Sequence, residues 1–154
     1  MKIVEGDLIQ MALNGEFDVI VHGSNCYCAM GAGIAKTIKQ NFPEAYKADC
    51  KTQKGSSKKL GTISYATVLK NDIEITVVNG YTQHHWKGNG VLVDYDAVRG
   101  VMRAVKENFS GKRIGYPLIG AGLARGNWEV IKKIIEEELE GENHTLVKFN
   151  GKVK

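Results

Sequence analysis

A glycine-bearing segment, Gly23–Gly33 (GSNCYCAMGAG), joins a strand-like run, Phe17–His22, to a helix-like run that opens near Ile34. The first turn of a helix presents backbone N–H groups without intrahelical partners and carries the positive end of the helix dipole, so an anion there meets several donors at once. At Gly31 and Gly33, a Cβ would hold a ligand away from those amides or forbid the backbone angles that aim them. The pattern therefore predicts a phosphate-binding loop.

A second segment of the same kind, Gly120–Gly126 (GAGLARG), follows a strand-like run, Arg113–Ile119, and precedes a helix-like run that starts near Trp128. In open α/β sheets, ligands bind beyond the carboxyl ends of the strands, and both glycine segments fall there. Two phosphate-binding loops in one chain indicate a single diphosphate ligand.

Composition limits the class of protein. The chain has 154 residues, of which 43% are hydrophobic, so a single domain over residues 1–154 can enclose a substantial core. Its formal charge of +4 is spread along the chain, which suits an anionic ligand but does not indicate nucleic-acid binding. We find no signal-peptide pattern and no apolar run as long as a membrane span. Three cysteines leave at least one free thiol, which is typical of a reducing compartment, so we expect a cytoplasmic protein. We also expect a monomer.

Strand-like and helix-like segments alternate along the chain, and each of the longer helical segments has one apolar face. This alternation predicts a sheet covered by helices on both sides. A turn at Lys70–Asp72 lies between two strand-like runs and predicts a hairpin, so the sheet should be mixed rather than purely parallel. The predicted strands are Lys2–Glu5, Phe17–His22, Thr62–Val68, Ile73–Asn79, Arg113–Leu118 and Thr145–Phe149, and the predicted helices are Leu8–Leu13, Ile34–Phe42, Glu44–Thr52, Val93–Phe109 and Trp128–Leu139.

Four motifs together carry a family resemblance. Val4–Leu8 (VEGDL), Val19–Asn25 (VIVHGSN) running into Gly31–Ala35 (GAGIA), and Pro117–Leu123 (PLIGAGL) before Trp128 resemble the macrodomain family of ADP-ribose-binding and ADP-ribose-processing proteins. The resemblance covers almost the whole chain, with the motifs in the right order. It implies a three-layer α/β/α fold with a mixed central sheet of six or seven strands, and ADP-ribose or a derivative as the ligand.

The resemblance also implies roles for individual residues. Asp7 matches the aspartate that accepts a hydrogen bond from the adenine amino group, Asn25 matches the asparagine near the distal ribose, and Phe149 matches a position where an aromatic ring packs on adenine. No metal and no cofactor are implied. The implied ligand-binding positions, including both diphosphate loops, are Asp7, Leu8, Gly31, Ala32, Gly33, Ile34, Ala35, Ile119, Gly120, Ala121, Gly122, Leu123, Ala124 and Phe149.

Simpler interpretations of the same residues stay open. Asp7 directly precedes a helix, so it would serve as an ordinary N-cap even in a protein that bound nothing. Phe149, taken alone, is more typical of a core position. Cys26 and Cys28 could suggest zinc, but their spacing lacks the usual two intervening residues and a second ligand pair. A cysteine nucleophile would have no obvious base beyond His22.

The histidine at position 22 points to a particular reaction. A histidine followed by a small residue, Ser/Cys, Asn and Cys resembles a yeast-type subgroup that dephosphorylates ADP-ribose 1″-phosphate. Imidazole is the side chain best matched to proton transfer near neutral pH. We therefore predict a phosphatase in which His22 and Asn25 are catalytic. His22 would attack the terminal phosphate or activate water toward it, while loop amides stabilise the developing charge.

Two other functions remain open. A hydrolytic subgroup that removes ADP-ribose from protein or DNA relies on a lysine near the segment Asn79–Trp86 and often on an aspartate after the leucine of the second loop. This chain has Gln83 and Ala124 there, and both departures weaken that interpretation. A non-catalytic ADP-ribose reader is the third possibility, since a reader needs no acid or base. We expect nucleic acid to be a partner only as an ADP-ribosylated substrate.

Overall fold

A six-stranded sheet forms the centre of the computed structural model, which describes residues 1–151. The strands lie in the order β1-β6-β5-β2-β4-β3. The strands are β1 Lys2–Gly6, β2 Val19–Asn25, β3 Ile63–Lys70, β4 Ile73–Gln83, β5 Arg113–Tyr116 and β6 Asn143–Phe149, and the helices are α1 Leu8–Leu13, α2 Gly33–Asn41, α3 Pro43–Cys50, α4 Tyr95–Phe109 and α5 Trp128–Glu138, with a 3₁₀ turn at Ser57–Lys59.

The sheet is mixed, as predicted. The strand pairs β1–β6, β6–β5, β5–β2 and β2–β4 are parallel. The edge strand β3 is antiparallel to its neighbour β4. The turn between β3 and β4 consists of two residues, Asn71 and Asp72, with φ angles of 51° and 64°. Asn and Asp tolerate this left-handed conformation better than most residues, which explains the tight hairpin.

Helices cover both faces of the sheet, so the predicted α/β/α architecture is confirmed. Val19 and Val21 of β2 belong to a buried cluster that includes side chains of α4 and α5. Ile20, between them, belongs to a second cluster that includes side chains of α1, α2 and α3. Successive residues of a strand point to opposite faces, so the central strand is apolar on both sides. No helix within residues 1–151 has the length and apolarity needed to cross a membrane.

Strand β2 differs from the predicted strand in a way that matters for the site. It begins at Val19 and continues to Asn25, three residues beyond the predicted end at His22. His22 therefore lies inside the central strand, paired with Asn79 of β4 in the sheet register. Because the parallel strands share one direction, the segments after β1, β2 and β5 all begin at the same edge of the sheet.

Candidate functional site

A cavity of about 480 Å³ opens at the carboxyl ends of the two neighbouring strands β1 and β6. Gly6 and Phe149 are register partners at the ends of these strands, which brings Asp7 and Phe149 to the same edge. The volume is in the range that binds a small molecule. We call this cavity the edge pocket; it is lined by Gly6, Asp7, Leu8, Ile9, Gly33, Ile34, Thr37, Pro117, Val147 and Phe149.

Asp7 caps helix α1 and also lines the edge pocket. Its Oδ1 accepts hydrogen bonds from the backbone N–H groups of Ile9 at 3.0 Å and Gln10 at 3.2 Å. The helix-cap interpretation is therefore confirmed. Both cap bonds use the same oxygen, so the second oxygen, Oδ2, takes no part in the cap, and the adenine-binding role of Asp7 stays a prediction.

Phe149 lies at the open end of β6 with 64% of its surface exposed. The interpretation of this ring as a core residue is therefore wrong. Leu8, by contrast, is only 4% exposed and belongs to the buried cluster between the sheet and helices α1, α2 and α3. An exposed ring beside a carboxylate is an arrangement suited to a planar, hydrogen-bonding group.

The first glycine loop ends in an uncapped helix. Gly33 starts α2 with a φ of +57°, a left-handed conformation that other residues rarely adopt. Ala32 precedes it without a side-chain cap, and no acidic residue lies in the first turn. Within the described residues, the amides of Gly31 to Ala35 have no protein acceptor, and the first helical bond runs from the Lys36 N–H to the Ala32 carbonyl at 3.4 Å. This end of α2 can donate several hydrogen bonds to an anion.

The second glycine loop turns sharply against the core. At Gly120, where φ is +72°, a Cβ would lie 2.6 Å from Val93 Cγ2, so packing as well as backbone conformation requires glycine. The Ala121 N–H donates to the Leu118 carbonyl at 3.2 Å, and the Arg125 N–H donates to the Gly122 carbonyl at 3.0 Å. In the part of the chain that the structure describes, the amides of residues 122–124 have no protein acceptor. They form a second set of donors, although Ile119 and Ala124 have buried side chains.

The two loops meet through Leu123. A Cβ built on Gly33 would lie 3.4 Å from Leu123 Cδ1, so this side chain reaches across from the second loop to the start of α2. Leu123 is 71% exposed. Leu123 therefore brings the second loop close to the start of α2, where Gly33 lines the edge pocket.

Asn25 ends β2 and shapes the loop that follows. Its Oδ1 accepts hydrogen bonds from the N–H groups of Tyr27 at 2.9 Å and Ala29 at 3.4 Å, and its Nδ2 donates to the Ala29 carbonyl at 2.9 Å. The side chain is 8% exposed. An amide nitrogen carries two hydrogens, so one donor of Asn25 remains for a ligand.

His22 is placed differently from its prediction. The side chain is completely buried, and its Nε2 forms a hydrogen bond of 2.7 Å with Asn79 Oδ1. Burial lowers the pKa of His22, and the hydrogen bond to Asn79 opposes that shift only in part. A position at the open end of the site, which direct action on a phosphate would need, is therefore not the position that His22 occupies. In this geometry His22 contacts no ligand, so direct attack on a phosphate has no geometric support.

A chain of hydrogen-bonded side chains runs through the interior from His22 to α3. Asn79 Nδ2 donates to Ser64 Oγ at 3.1 Å, Ser64 Oγ lies 2.7 Å from the Tyr81 hydroxyl, and that hydroxyl donates to Asp49 Oδ1 at 2.7 Å. Burial raises the pKa of Tyr81. We call these residues the buried polar chain. No motif in the sequence marks this chain, although Asn79 and Tyr81 are two residues apart and so share a face of β4.

The cysteines of the first loop point to separate partners. Cys26 Sγ donates to the Gln83 carbonyl at 3.6 Å, and Cys28 Sγ donates to the Asp49 carbonyl at 3.3 Å. Burial raises the pKa of both thiols, which opposes formation of a nucleophilic thiolate. Within residues 1–151, no group of three His, Cys, Asp or Glu side chains is arranged to hold a metal ion.

The two positions that depart from the hydrolase pattern come close together. Gln83 pairs with Val93 in an isolated antiparallel bridge, and the neighbouring Leu92 N–H donates to the Ala124 carbonyl at 2.9 Å. The Gln83 side chain donates to the His85 carbonyl at 2.9 Å. The fold thus brings positions 83 and 124 together beside the second loop, and neither position holds a lysine or a carboxylate.

Comparison with known proteins agrees with this architecture. A family model described as the Macro domain matches residues 21–135. The chain is 33% identical over 141 residues, 88% of each chain, to an uncharacterized 17.5 kDa protein in the tk-vs intergenic region of Enterobacteria phage T4.

Solved structures share the fold. A protein of unknown function from Bacteroides thetaiotaomicron superimposes with a TM-score of 0.73 at 25% identity, and the match covers 96% of each chain. DarTG from Thermosipho africanus, solved in complex with ADP-ribose, superimposes with a TM-score of 0.74 at 19% identity, covering 99% of this chain and 42% of that one. With the family model matching most of its length and a relative 33% identical, this chain belongs to the Macro domain family.

Proposed function

We propose that the chain, as one domain spanning residues 1–154, binds ADP-ribose. The observation that carries this proposal is the edge pocket, in which a carboxylate and an exposed aromatic ring lie together and adjoin two sets of unpaired backbone amides. The pocket would take the adenine, the amides would take the diphosphate, and the distal ribose would lie toward Asn25.

The adenine end depends on two side chains of the edge pocket. Adenine is planar and carries one exocyclic amino group, so it can stack on the Phe149 ring while that amino group donates to Asp7. Because both cap bonds of Asp7 use Oδ1, an adenine donor can use Oδ2 without loss of the helix cap. Val147 and Ile34 supply apolar walls.

Binding of the diphosphate part of the ligand would depend on backbone N–H groups rather than on side chains. The uncapped start of α2 and residues 122–124 of the second loop offer donors from two sides, and Leu123 joins them. The positive end of the α2 dipole favours an anion there, and the first turn holds no carboxylate that would compete. Membership in the Macro domain family, and the bound ADP-ribose in DarTG from Thermosipho africanus, support this assignment.

The finer proposal is that this site hydrolyses ADP-ribose 1″-phosphate. Water would add across the phosphate ester, releasing inorganic phosphate and leaving ADP-ribose in the site. The likeness of the His22–Asn25 segment to the phosphatase subgroup supports it, as do the unpaired amides near Asn25, which can stabilise charge on a phosphoryl group. His22 enters this proposal only as a positioning residue, because its imidazole is buried.

Two assays on the wild-type protein test both levels of the proposal. Titration calorimetry with ADP-ribose should show binding with one site per chain, and absence of heat at high protein concentration would reject the binding function. Phosphate release from ADP-ribose 1″-phosphate should exceed the buffer rate. If binding is present and no phosphate appears, the phosphatase proposal fails and the protein is a reader, unless it frees ADP-ribose from modified protein or DNA, which would establish the hydrolase.

We also propose that the protein acts as a monomer in the cytoplasm. Its three cysteines are all free, which supports a reducing compartment. Light scattering at micromolar concentration should give the mass of one chain, and a mass of two chains would contradict the monomer.

A further inference from the structure

Four aromatic rings lie close together just beyond the ends of β2 and β4. His85 and Trp86 stack with ring centroids 4.1 Å apart and an angle of 18° between planes. Tyr27 packs against both of these rings and against His84, with centroid distances of 4.7 Å to His85, 5.7 Å to Trp86 and 5.2 Å to His84. We call these four residues the aromatic rim. Trp86 keeps 46% of its surface exposed, so it covers His85 on one side and faces solvent on the other.

The aromatic rim is held in place by hydrogen bonds from three segments. The Cys26 N–H donates to the His84 carbonyl at 2.9 Å, and the Gly55 N–H donates to the Cys26 carbonyl at 2.6 Å. His84 Nε2 lies 3.0 Å from the Gly55 carbonyl oxygen, and the Lys87 N–H donates to His85 Nδ1 at 3.0 Å. The exposed rings are therefore part of an ordered surface.

Arg125 joins the aromatic rim to the second glycine loop. Its guanidinium donates to the Gly90 carbonyl at 2.6 Å and to the Gly88 carbonyl at 2.5 Å, four and two residues beyond Trp86. Arg125 itself adopts a φ of +58°, an uncommon conformation for a residue with a long side chain. This contact fixes the segment after Trp86 beside the diphosphate loops.

The exposed charged side chains on the segments of the aromatic rim are lysines. Lys54, Lys58 and Lys87 are exposed on the segments that carry or contact the rings. The sequence has no aspartate or glutamate in 50–71 or in 75–93. Within residues 1–151, the ion pairs of the structure involve none of these three lysines. The segments that carry or contact the exposed Trp86 ring therefore hold three exposed lysines without an ion pair, and the nearby Asp49 is buried.

We propose that the aromatic rim binds single-stranded nucleic acid, with one base stacked on Trp86 and the flanking lysines contacting backbone phosphates. Stacking on an aromatic side chain beside a positive surface is the way proteins hold single strands without reading their sequence. Unstacked bases offer planar faces to Trp86, whereas in a duplex those faces are covered. This surface lies outside the edge pocket, so the proposal does not require that the protein bind ADP-ribose.

Tryptophan fluorescence provides a direct test, because the chain has two tryptophans. In a Trp128→Phe variant, Trp86 is the only reporter. Octamers of thymidine and of uridine, at 50 mM salt, should quench its emission on binding. Trp86→Ala should weaken oligonucleotide binding, measured by anisotropy of a labelled octamer, by about 5- to 100-fold, while ADP-ribose affinity stays at the wild-type value.

A charge-matched pair of double variants tests the lysines. Lys54→Gln with Lys87→Gln should weaken binding and flatten the plot of log affinity against log salt, by roughly 0.7 for each phosphate that the variant no longer neutralises. Lys112→Gln with Lys133→Gln removes two exposed charges from residues outside the rim segments and should change the slope little.

Each alternative outcome has a definite meaning. The proposal would be overturned if neither octamer bound at 50 mM salt, or if wild type and Trp86→Ala bound with equal affinity. It would also be overturned if polyphosphate quenched Trp86 as strongly as the octamers do, because the aromatic rim would then be part of a general anion-binding surface. A preference for one octamer supports the proposal and shows that the rim distinguishes the 2′-hydroxyl of the sugar or the methyl group of thymine. ADP-ribose titrations of the same samples separate this result from the proposed function, since either binding can fail while the other persists.

Discussion

Two polar regions of this protein differ in how far their hydrogen-bonding groups are exposed and paired. In the edge pocket, Asp7 keeps one oxygen outside its helix cap, Phe149 is 64% exposed, and the neighbouring loop amides have no protein acceptors within residues 1–151. In the buried polar chain, His22 and Tyr81 are completely buried and each forms a hydrogen bond to another side chain, while His22 Nδ1 and Asp49 Oδ2 are buried without a partner within residues 1–151. We propose that the first region binds the ligand and that the second contributes to the stability of the fold.

Position in the sheet explains the difference. Strands β2 and β4 are central and covered by helices on both faces, and a polar side chain there must find a protein partner or carry a large desolvation cost. Strand β1 is at the edge, and the carboxyl ends of β1 and β6 leave space beside α1 and α2. Asp7 and His22 are both candidate site residues in the sequence, but Asp7 lines the edge pocket and His22 is enclosed in the central part of the sheet.

The largest expected effect comes from blocking the loop beside the edge pocket. Gly33→Val places a branched side chain at a φ of +57°, 3.4 Å from Leu123, at the start of α2. It should abolish ADP-ribose binding in calorimetry. The matched control is Gly141→Val. Gly141 has a φ of +81° with open space around it, and it belongs neither to the edge pocket nor to either glycine loop. Both variants should lose about 1–2 kcal/mol to backbone strain, and only Gly33→Val should lose binding. Retained binding would place the ligand elsewhere.

A smaller and more specific effect is expected at Asp7. Asp7→Ser keeps a good helix cap but removes the second carboxylate oxygen, so it should lose a charge-assisted hydrogen bond of roughly 1.5–3 kcal/mol. Affinity for ADP-ribose, measured by calorimetry, should fall tenfold or more. Asp94→Ala removes the cap of α4, formed with the Ala97 N–H at 3.0 Å, and should lower stability without a comparable loss of affinity. Unchanged affinity in Asp7→Ser would reduce Asp7 to a helix cap.

His22→Ala should reverse this pattern, with an effect on stability rather than on affinity. It leaves Asn79 Oδ1 buried without its partner, which costs about 1–3 kcal/mol, with a further cost for the cavity. Urea unfolding should show this loss, while calorimetry below the unfolding transition should show little change in ADP-ribose affinity. Full stability combined with lost phosphate release would contradict the structural role and restore His22 to the reaction.

The smallest expected effect is a dependence of stability on pH. Burial lowers the pKa of His22 and of His144 below the ordinary value of 6.5, so acid protonates the unfolded chain more readily than the folded one. The free energy of unfolding should be level above about pH 6.5 and should fall as the pH drops below it, by at most about 1.4 kcal/mol per pH unit for each histidine. Urea titrations between pH 8 and 5 measure this. His22→Ala should show a shallower fall, and a parallel curve would contradict the depressed pKa.

Much of the architecture was predictable because local patterns decide it. Helix α1 runs from Leu8 to Leu13 as predicted, since Asp7 marks its start, and both glycine loops lie between a strand and a helix. The mixed sheet followed from the turn at Asn71 and Asp72. These features depend on residues that are close in sequence, so the sequence alone specifies them.

The environment of His22 was not predictable in the same way. A strand buried on both faces lacks polar alternation, so the sequence does not show which layer a side chain enters. The partners of the buried polar chain, such as Ser64 and Asp49, lie far away in sequence and approach only in the folded protein. The exposure of Phe149 likewise depends on the empty space beside β6, which no local pattern reveals.

A crystal structure of the protein grown with ADP-ribose tests the central claim most directly. We expect electron density for adenine against the Phe149 ring, with its amino group within hydrogen-bonding distance of Asp7 Oδ2. The diphosphate should lie between the start of α2 and residues 122–124. Density for the ligand elsewhere, or an edge pocket still empty at saturating ADP-ribose, would contradict this account.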